Sequence, residues 1–196
     1  IRDQPRSRGL GDVYKRQVKR PVPVDTLYMA FHICNRYHPE YYTYDMITDV
    51  LSNGKSSRFI QSLVQEQKIF TTIDAYISGS LDDGLLQITG KPSQGISLQD
   101  AESAIWKELE RLKTVPVEET ELEKVKNRYE SEQIFNNLNY LNVATNLAYF
   151  ELIGQAEDIN KEVEKYRAVT AGQIQKAARQ TFVPENCSIL YYLAEQ

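Results

Sequence analysis

Hydrophobic positions alternate cleanly over residues 26–34. Leu27, Met29, Phe31 and Ile33 point one way, and Tyr28, Ala30 and His32 the other. A period of two predicts a half-buried strand, and His38-Pro39 ends it. Over 41–51 the period changes. Tyr44, Ile47, Val50 and Leu51 recur at helical spacing, and Asn53-Gly54 supplies residues that tolerate a left-handed C-terminal cap. A second helix follows, with Ser56 or Ser57 as its cap and Phe59, Ile60 and Leu63 on one side. Residues 69–78 alternate again, with Ile69, Thr71, Ile73, Ala75 and Ile77 expected on one face. Asp82-Asp83-Gly84 marks a turn and 85–90 a third strand, so this stretch predicts an antiparallel hairpin.

Beyond Lys91 the pattern turns helical. Ser97, with Asp100 three residues on, opens a helix carrying Ala101, Ile105, Leu109 and Leu112 on one stripe. Pro116 precedes a helix whose start holds Glu118, Glu119 and Glu121, where acidic groups suit the helix dipole, and it runs to about Phe135. Residues 138–153 predict a further helix, rich in Asn and closed by Gly154, and 160–168 a short one. Thr170 and Gln173 form a capping box for a helix bearing Ile174, Ala177, Ala178 and Phe182, and 187–193 read as a last strand. Segregated strands and helices predict an α+β fold: an antiparallel or mixed sheet with several helices on one face.

Composition narrows the function classes. The chain has 196 residues, 41% hydrophobic and 26% charged, enough for one sizeable core. No apolar run approaches the ~18 residues of a membrane span. A net charge of -4 gives no reason to expect nucleic acid as a partner. Residues 1–17 hold five basic and two acidic side chains and are expected to be a disordered tail, a linker or non-native sequence, leaving 18–196 as the folded domain. The two cysteines, Cys34 and Cys187, lie in apolar strand-like runs where a buried free thiol is the default.

Residues 53–76 read NGKSSRFIQSLVQEQKIFTTIDAY. This glycine-serine turn, helix and strand resemble the second half-domain of pitrilysin-type (insulinase-like) zinc metallopeptidases, including the mitochondrial-processing-peptidase branch. The resemblance extends in order through HPEYYTYDMITDVLSNGKSSRF, LLQITGKPSQGISLQDAE, KELERLKTVPVEETELEKVKN and AVTAGQIQKAARQTFVPEN, over about residues 22–195. It implies a metallopeptidase half-domain built on a layer related to the ferredoxin-like fold. Such proteins carry two similar halves. The first holds an HxxEH helix, whose two His bind zinc and whose Glu activates water.

His38-Pro39-Glu40-Tyr41 is not that motif, and the only other histidine is His32. The resemblance therefore implies the second half alone, with zinc expected in an N-terminal catalytic half-domain outside this sequence. In relatives whose second half assists catalysis, an Arg and a Tyr stand where this chain has Val64 and Thr71. Those donors meet the charge developing on the scissile carbonyl. Val64 has no donor, and the short Thr71 hydroxyl falls short of where a tyrosine would reach. The expectation is an inactive half of a zinc endopeptidase that helps enclose a peptide chamber, with no catalytic, cofactor or metal residue of its own. A second family subunit supplying Arg and Tyr, or a homo-oligomer, stays open, as does a structural subunit of the same fold without protease activity. Periplasmic and cytoplasmic locations are both open.

Other candidates have plainer readings. Arg58 is expected on an exposed helix face. A metal site from His32, Cys34, His38 and Cys187 lacks zinc-like spacing. Tyr37, Tyr41, Tyr42 and Tyr44 read as packing at a helix start, and Asn136, Asn137, Asn139 and Asn142 as a capped loop or a chamber lining.

Overall fold

The computed structural model describes residues 15–79 and 81–195. Among the described residues five strands form one mixed sheet: β1 (Lys15–Arg20), β2 (Thr26–Ile33), β3 (Phe70–Ile77), β4 (Gly84–Pro92) and β5 (Cys187–Ala194). Their spatial order is β1-β5-β2-β4-β3. Only β1 and β5 run parallel; β2 pairs antiparallel with β4 and β5, and β3 with β4. Accompanying them among the described residues are the α-helices α1 (Tyr41–Ser52), α2 (Leu98–Thr114), α3 (Glu119–Asn136), α4 (Tyr140–Ile153), α5 (Glu162–Arg167) and α6 (Ala171–Thr181). The α+β reading of the sequence holds, and the hairpin anticipated over 69–90 is the antiparallel β3–β4 pair.

The core lies on one face of the sheet. Leu27, Met29, Phe31 and Ile33 of β2, Leu86 and Ile88 of β4 and Ile189 and Tyr191 of β5 are buried beneath α1, α2 and α6. Phe31 sits at its centre, edge-on to Phe182 at 5.0 Å and Trp106 at 5.7 Å. Aromatic pairs of this geometry add to what burial alone supplies. The helices present matching stripes: Ala101, Ile105, Leu109 and Leu112 on α2, and Ile174, Ala177 and Ala178 on α6. The capping box of α6 is complete, with Thr170 Oγ1 accepting from the Gln173 N–H and Gln173 Oε1 from the Thr170 N–H. Ser97 caps α2 by accepting from the Asp100 N–H.

Three features depart from the sequence reading. The helix after Gly54 is π-helical over Ile60–Glu66, and no serine side chain caps it; the buried Ser57 hydroxyl instead donates to the Gly54 carbonyl. A bulge between Phe70 and Thr72 shifts the phase of β3, so Phe70 joins Ile73 and Ala75 on the buried face and Thr71 turns outward. A bulge inserts one unpaired residue and so reverses the alternation on one side of it. Phe70 fits there because Gly90 lies beneath it; a Cβ at 90 would stand 2.4 Å from its ring. Finally, β1 spans the boundary expected at 17/18. Residues 1–14 of the expected tail lie outside the described residues.

Candidate functional site

The segment singled out by sequence folds as turn, π-helical turn and edge strand. Gly54, at φ +100°, reverses the chain after α1 in a conformation that favours glycine. Phe59 and Leu63 then pin the π-helical turn to the core. It closes where the Gln67 N–H donates to the Ser62 carbonyl and the Ile69 N–H to the Leu63 carbonyl, with Lys68 left-handed at φ +54°. The chain then enters β3, the outer strand of the sheet.

Val64 sits on the π-helical turn, partly buried and packed against the core. Thr71 is exposed at the bulge, and its hydroxyl donates to the Lys91 carbonyl at 3.0 Å within the same hairpin. One position thus has no polar atom, and the other has its only donor engaged on backbone. Neither offers a hydrogen bond to a developing oxyanion.

Arg58 is not on an exposed face. Its guanidinium forks onto Glu121 of α3, Nε to Oε1 at 3.0 Å and Nη2 to Oε2 at 2.8 Å, with the side chain 12% exposed. The sequence misses this because Glu121 lies 63 residues away. Beside the pair runs an open cleft of about 510 Å³ lined by Arg58, Gln61, Glu66, Arg111, Glu118 and Lys124. Its charges are mixed, and Lys124 is held by Ser56 at 2.7 Å. On the core side, Ser62 Oγ donates to Glu108 Oε1 and accepts from Gln67 Nε2, both at 2.7 Å. These bonds stiffen the turn; none aims a nucleophile or base at the cleft.

Of the four tyrosines near α1, Tyr41, Tyr42 and Tyr44 pack inward as expected, Tyr41 and Tyr42 against a buried ionic network, whereas Tyr37 is exposed. Arg36 and Glu162 form an ion pair, each less than a tenth exposed. The Arg36 guanidinium lies 4.4 Å from the Tyr41 ring centroid and 5.1 Å from that of Tyr42. Tyr166 donates to Asp45 Oδ2 and stacks on Tyr129 at 3.6 Å. Burial pushes the Asp45 carboxyl up, and the Tyr166 hydroxyl opposes this. Asp49, one turn further along α1, is pushed up to about 6, again by burial, against the bond it accepts from Asn53.

His32 is exposed on the bare face of the sheet. His38 is exposed too, its Nδ1 accepting from the Glu40 N–H. Both cysteines are free, and burial raises Cys34 to about 11 and Cys187 to about 12, so neither is a thiolate near neutral pH. Among the described residues no three His, Cys, Asp or Glu side chains converge as a metal site. Nor is any helix long and apolar enough to cross a membrane.

This helix-backed mixed sheet matches a defined class. The profile of the peptidase M16 inactive domain fits residues 2–129. The chain belongs to that family, as its non-catalytic domain. Among solved structures, a protease from Helicobacter pylori superposes with a TM-score of 0.84 at 16% identity, over 90% of this chain and 43% of that one. The inactive peptidase domain of a protein assigned as a zinc protease in Bordetella parapertussis gives 0.80 at 18%, over 91% and 95%. A chain of complex III2 from Candida albicans gives 0.76 at 18%, over 93% and 46%. No curated protein matches the sequence. The chain spans less than half the length of the H. pylori and C. albicans chains.

Proposed function

We propose that residues 18–196 are the C-terminal half of a zinc-dependent endopeptidase, helping to enclose the peptide chamber while an N-terminal half-domain holds the metal. The observation that carries this is the state of the two assisting positions. Val64 packs on the core and Thr71 bonds to its own hairpin, in a domain whose relatives in longer chains are M16-type. The chamber side is the bare sheet face, where Tyr28, Gln87, Thr89 and Leu190 surround a shallow, mostly apolar groove of about 380 Å³. Such a surface suits an extended peptide better than a charged small molecule.

A scaffold subunit of the same fold is the second reading, favoured by the likeness to the C. albicans complex III2 chain. Reading the native gene upstream of Val18 separates the two. An HxxEH motif in a preceding domain of similar size is expected, and a degraded motif there supports the scaffold reading. The chain by itself is expected neither to bind zinc tightly nor to cleave peptides; chelator-sensitive proteolysis by a clean preparation would overturn the assignment.

A further inference from the structure

Asp45 and Asp49 stand one turn apart on α1, on the side that α3 and α5 cover. Among the described residues neither forms an ion pair. Asp45 accepts from the Tyr166 hydroxyl of α5 at 2.5 Å, and Asp49 from the Asn53 amide at 2.6 Å. The two guanidiniums nearby are committed elsewhere: Arg36 to Glu162 of α5, and Arg128 to Glu132 on its own helix α3 at 2.8 Å. Lys165 of α5 turns to the Tyr42 ring, 5.4 Å from its centroid. Four carboxyl groups along this seam thus share two guanidiniums. The Tyr41, Tyr129 and Tyr166 hydroxyls border it too, each pushed up by burial and so neutral, and Tyr149 of α4 lies beside Tyr41. On the other sides of α1, β3 brings Asp74, which accepts from Ser52, and α6 brings Lys176, 3.8 Å from Glu40. Neither bonds to Asp45 or Asp49.

We propose that this seam is a proton-operated latch: it holds distal α3 and α5 onto α1 while Asp45 and Asp49 carry protons, and loosens when both are ionised. Two ionised carboxylates one turn apart, facing Glu132, repel one another and lose hydration in the seam; protonation removes both costs. A protonated Asp45 still accepts from Tyr166 through its carbonyl oxygen. Burial raises both carboxyls, Asp49 to about 6, with Glu132 adding to each and Arg36 and Arg128 opposing without cancelling it. Once the seam opens, both groups are hydrated and titrate near ~4. Docking therefore takes up protons. Its stabilisation is fully present below ~4 and is lost as pH rises through about 6. The opening is local. Proximal α3 cannot follow, because Leu122 and Val125 lie in the core and Arg58 forks onto Glu121. Arg36–Glu162 carries charge on both sides of this range and tethers the loosened segment. The latch lies inside the domain, so it requires neither a zinc site nor an upstream half.

The test is amide hydrogen exchange on the 196-residue chain at about pH 5 and pH 8, with protection factors corrected for the intrinsic rate at each pH. Protection over residues 128–136 and 162–167 is expected to fall about tenfold between the two from Asp49 alone, and further with Asp45. Protection in β2 and α2 is expected to stay level. A chain carrying both Asp45→Asn and Asp49→Asn is expected to keep its acid-side protection at the higher pH. Carbon-13 NMR of the aspartate carboxyls in the unaltered chain gives a second reading that no variant's folding can spoil. Both midpoints are expected above the ordinary aspartate value of ~3.9. Midpoints at or below that value overturn the proposal. So does protection over 128–136 and 162–167 that stays level, a fall shared equally by β2 and α2, or a pH response that the folded double variant keeps.

Discussion

The sheet with α1, α2 and α6 and the arm built from distal α3 and α4 are both rich in apolar residues, yet one is a core and the other a surface. The difference is arrangement. On β2 the apolar residues fall on alternate positions, and all four on the inner face are buried. On α6 they fall on one stripe, so a single packing direction satisfies them. On α4 they interleave with asparagines around the whole helix, and no single face of this domain can cover them. Apolar content decides whether a segment has surface to bury; periodicity decides whether its own domain can bury it.

Truncating large side chains should show the contrast most strongly. Phe31→Ala removes the ring between Phe182 and Trp106 and is expected to cost ~3–5 kcal/mol in urea unfolding. Phe135→Ala, in the arm, is expected to stay within ~0.5 kcal/mol when the chain is dilute. Equal losses would mean that the arm is packed in solution. The link between the two regions is Arg36–Glu162, because Glu162 begins the helix that follows the arm. Glu162→Ala strands a buried guanidinium and should cost about 3 kcal/mol. Faster amide exchange in α4 and Ala156–Lys161 than elsewhere should accompany it; a uniform change would show that the pair does not anchor the arm.

A smaller effect of opposite sign is expected at Asp49, where α1 meets α3. Its carboxyl is raised to about 6 by burial, with Asp45 and Glu132 adding to this and Asn53 and Arg128 opposing it. The folded state therefore binds this proton more tightly than the unfolded chain, whose Asp titrates near ~4. The stabilisation from protonation is fully present below that value and is lost as pH rises through about 6. Asp49→Asn removes that loss. It should gain about 2 kcal/mol at neutral pH and nothing below pH ~4. A gain that does not depend on pH would mean the carboxyl is not the cause. Smallest is Thr170→Ala, which removes the capping box of α6 and should cost ~1 kcal/mol, read from thermal melts at fixed pH.

What could be read from residues alone was local. The alternation of β2, the stripes on α2 and α6, the Thr170–Gln173 box and the β3–β4 hairpin each depend on spacings of a few residues and on backbone preferences those residues carry with them. That Val64 and Thr71 stand where the family resemblance implies an Arg and a Tyr is likewise a reading of residue identity within an order of motifs. The bulge that turns Thr71 outward was not, since it follows from Phe70 seeking the space above Gly90, twenty residues away. Nor were the Arg58–Glu121 fork, the burial of Arg36 on Glu162 or the parallel pairing of β1 with β5. These join positions 63 or more residues apart, and only the folded chain brings them within reach. The exposure of α4 belongs with them: its composition announces surface to be buried, and only the tertiary structure shows that this domain leaves it uncovered.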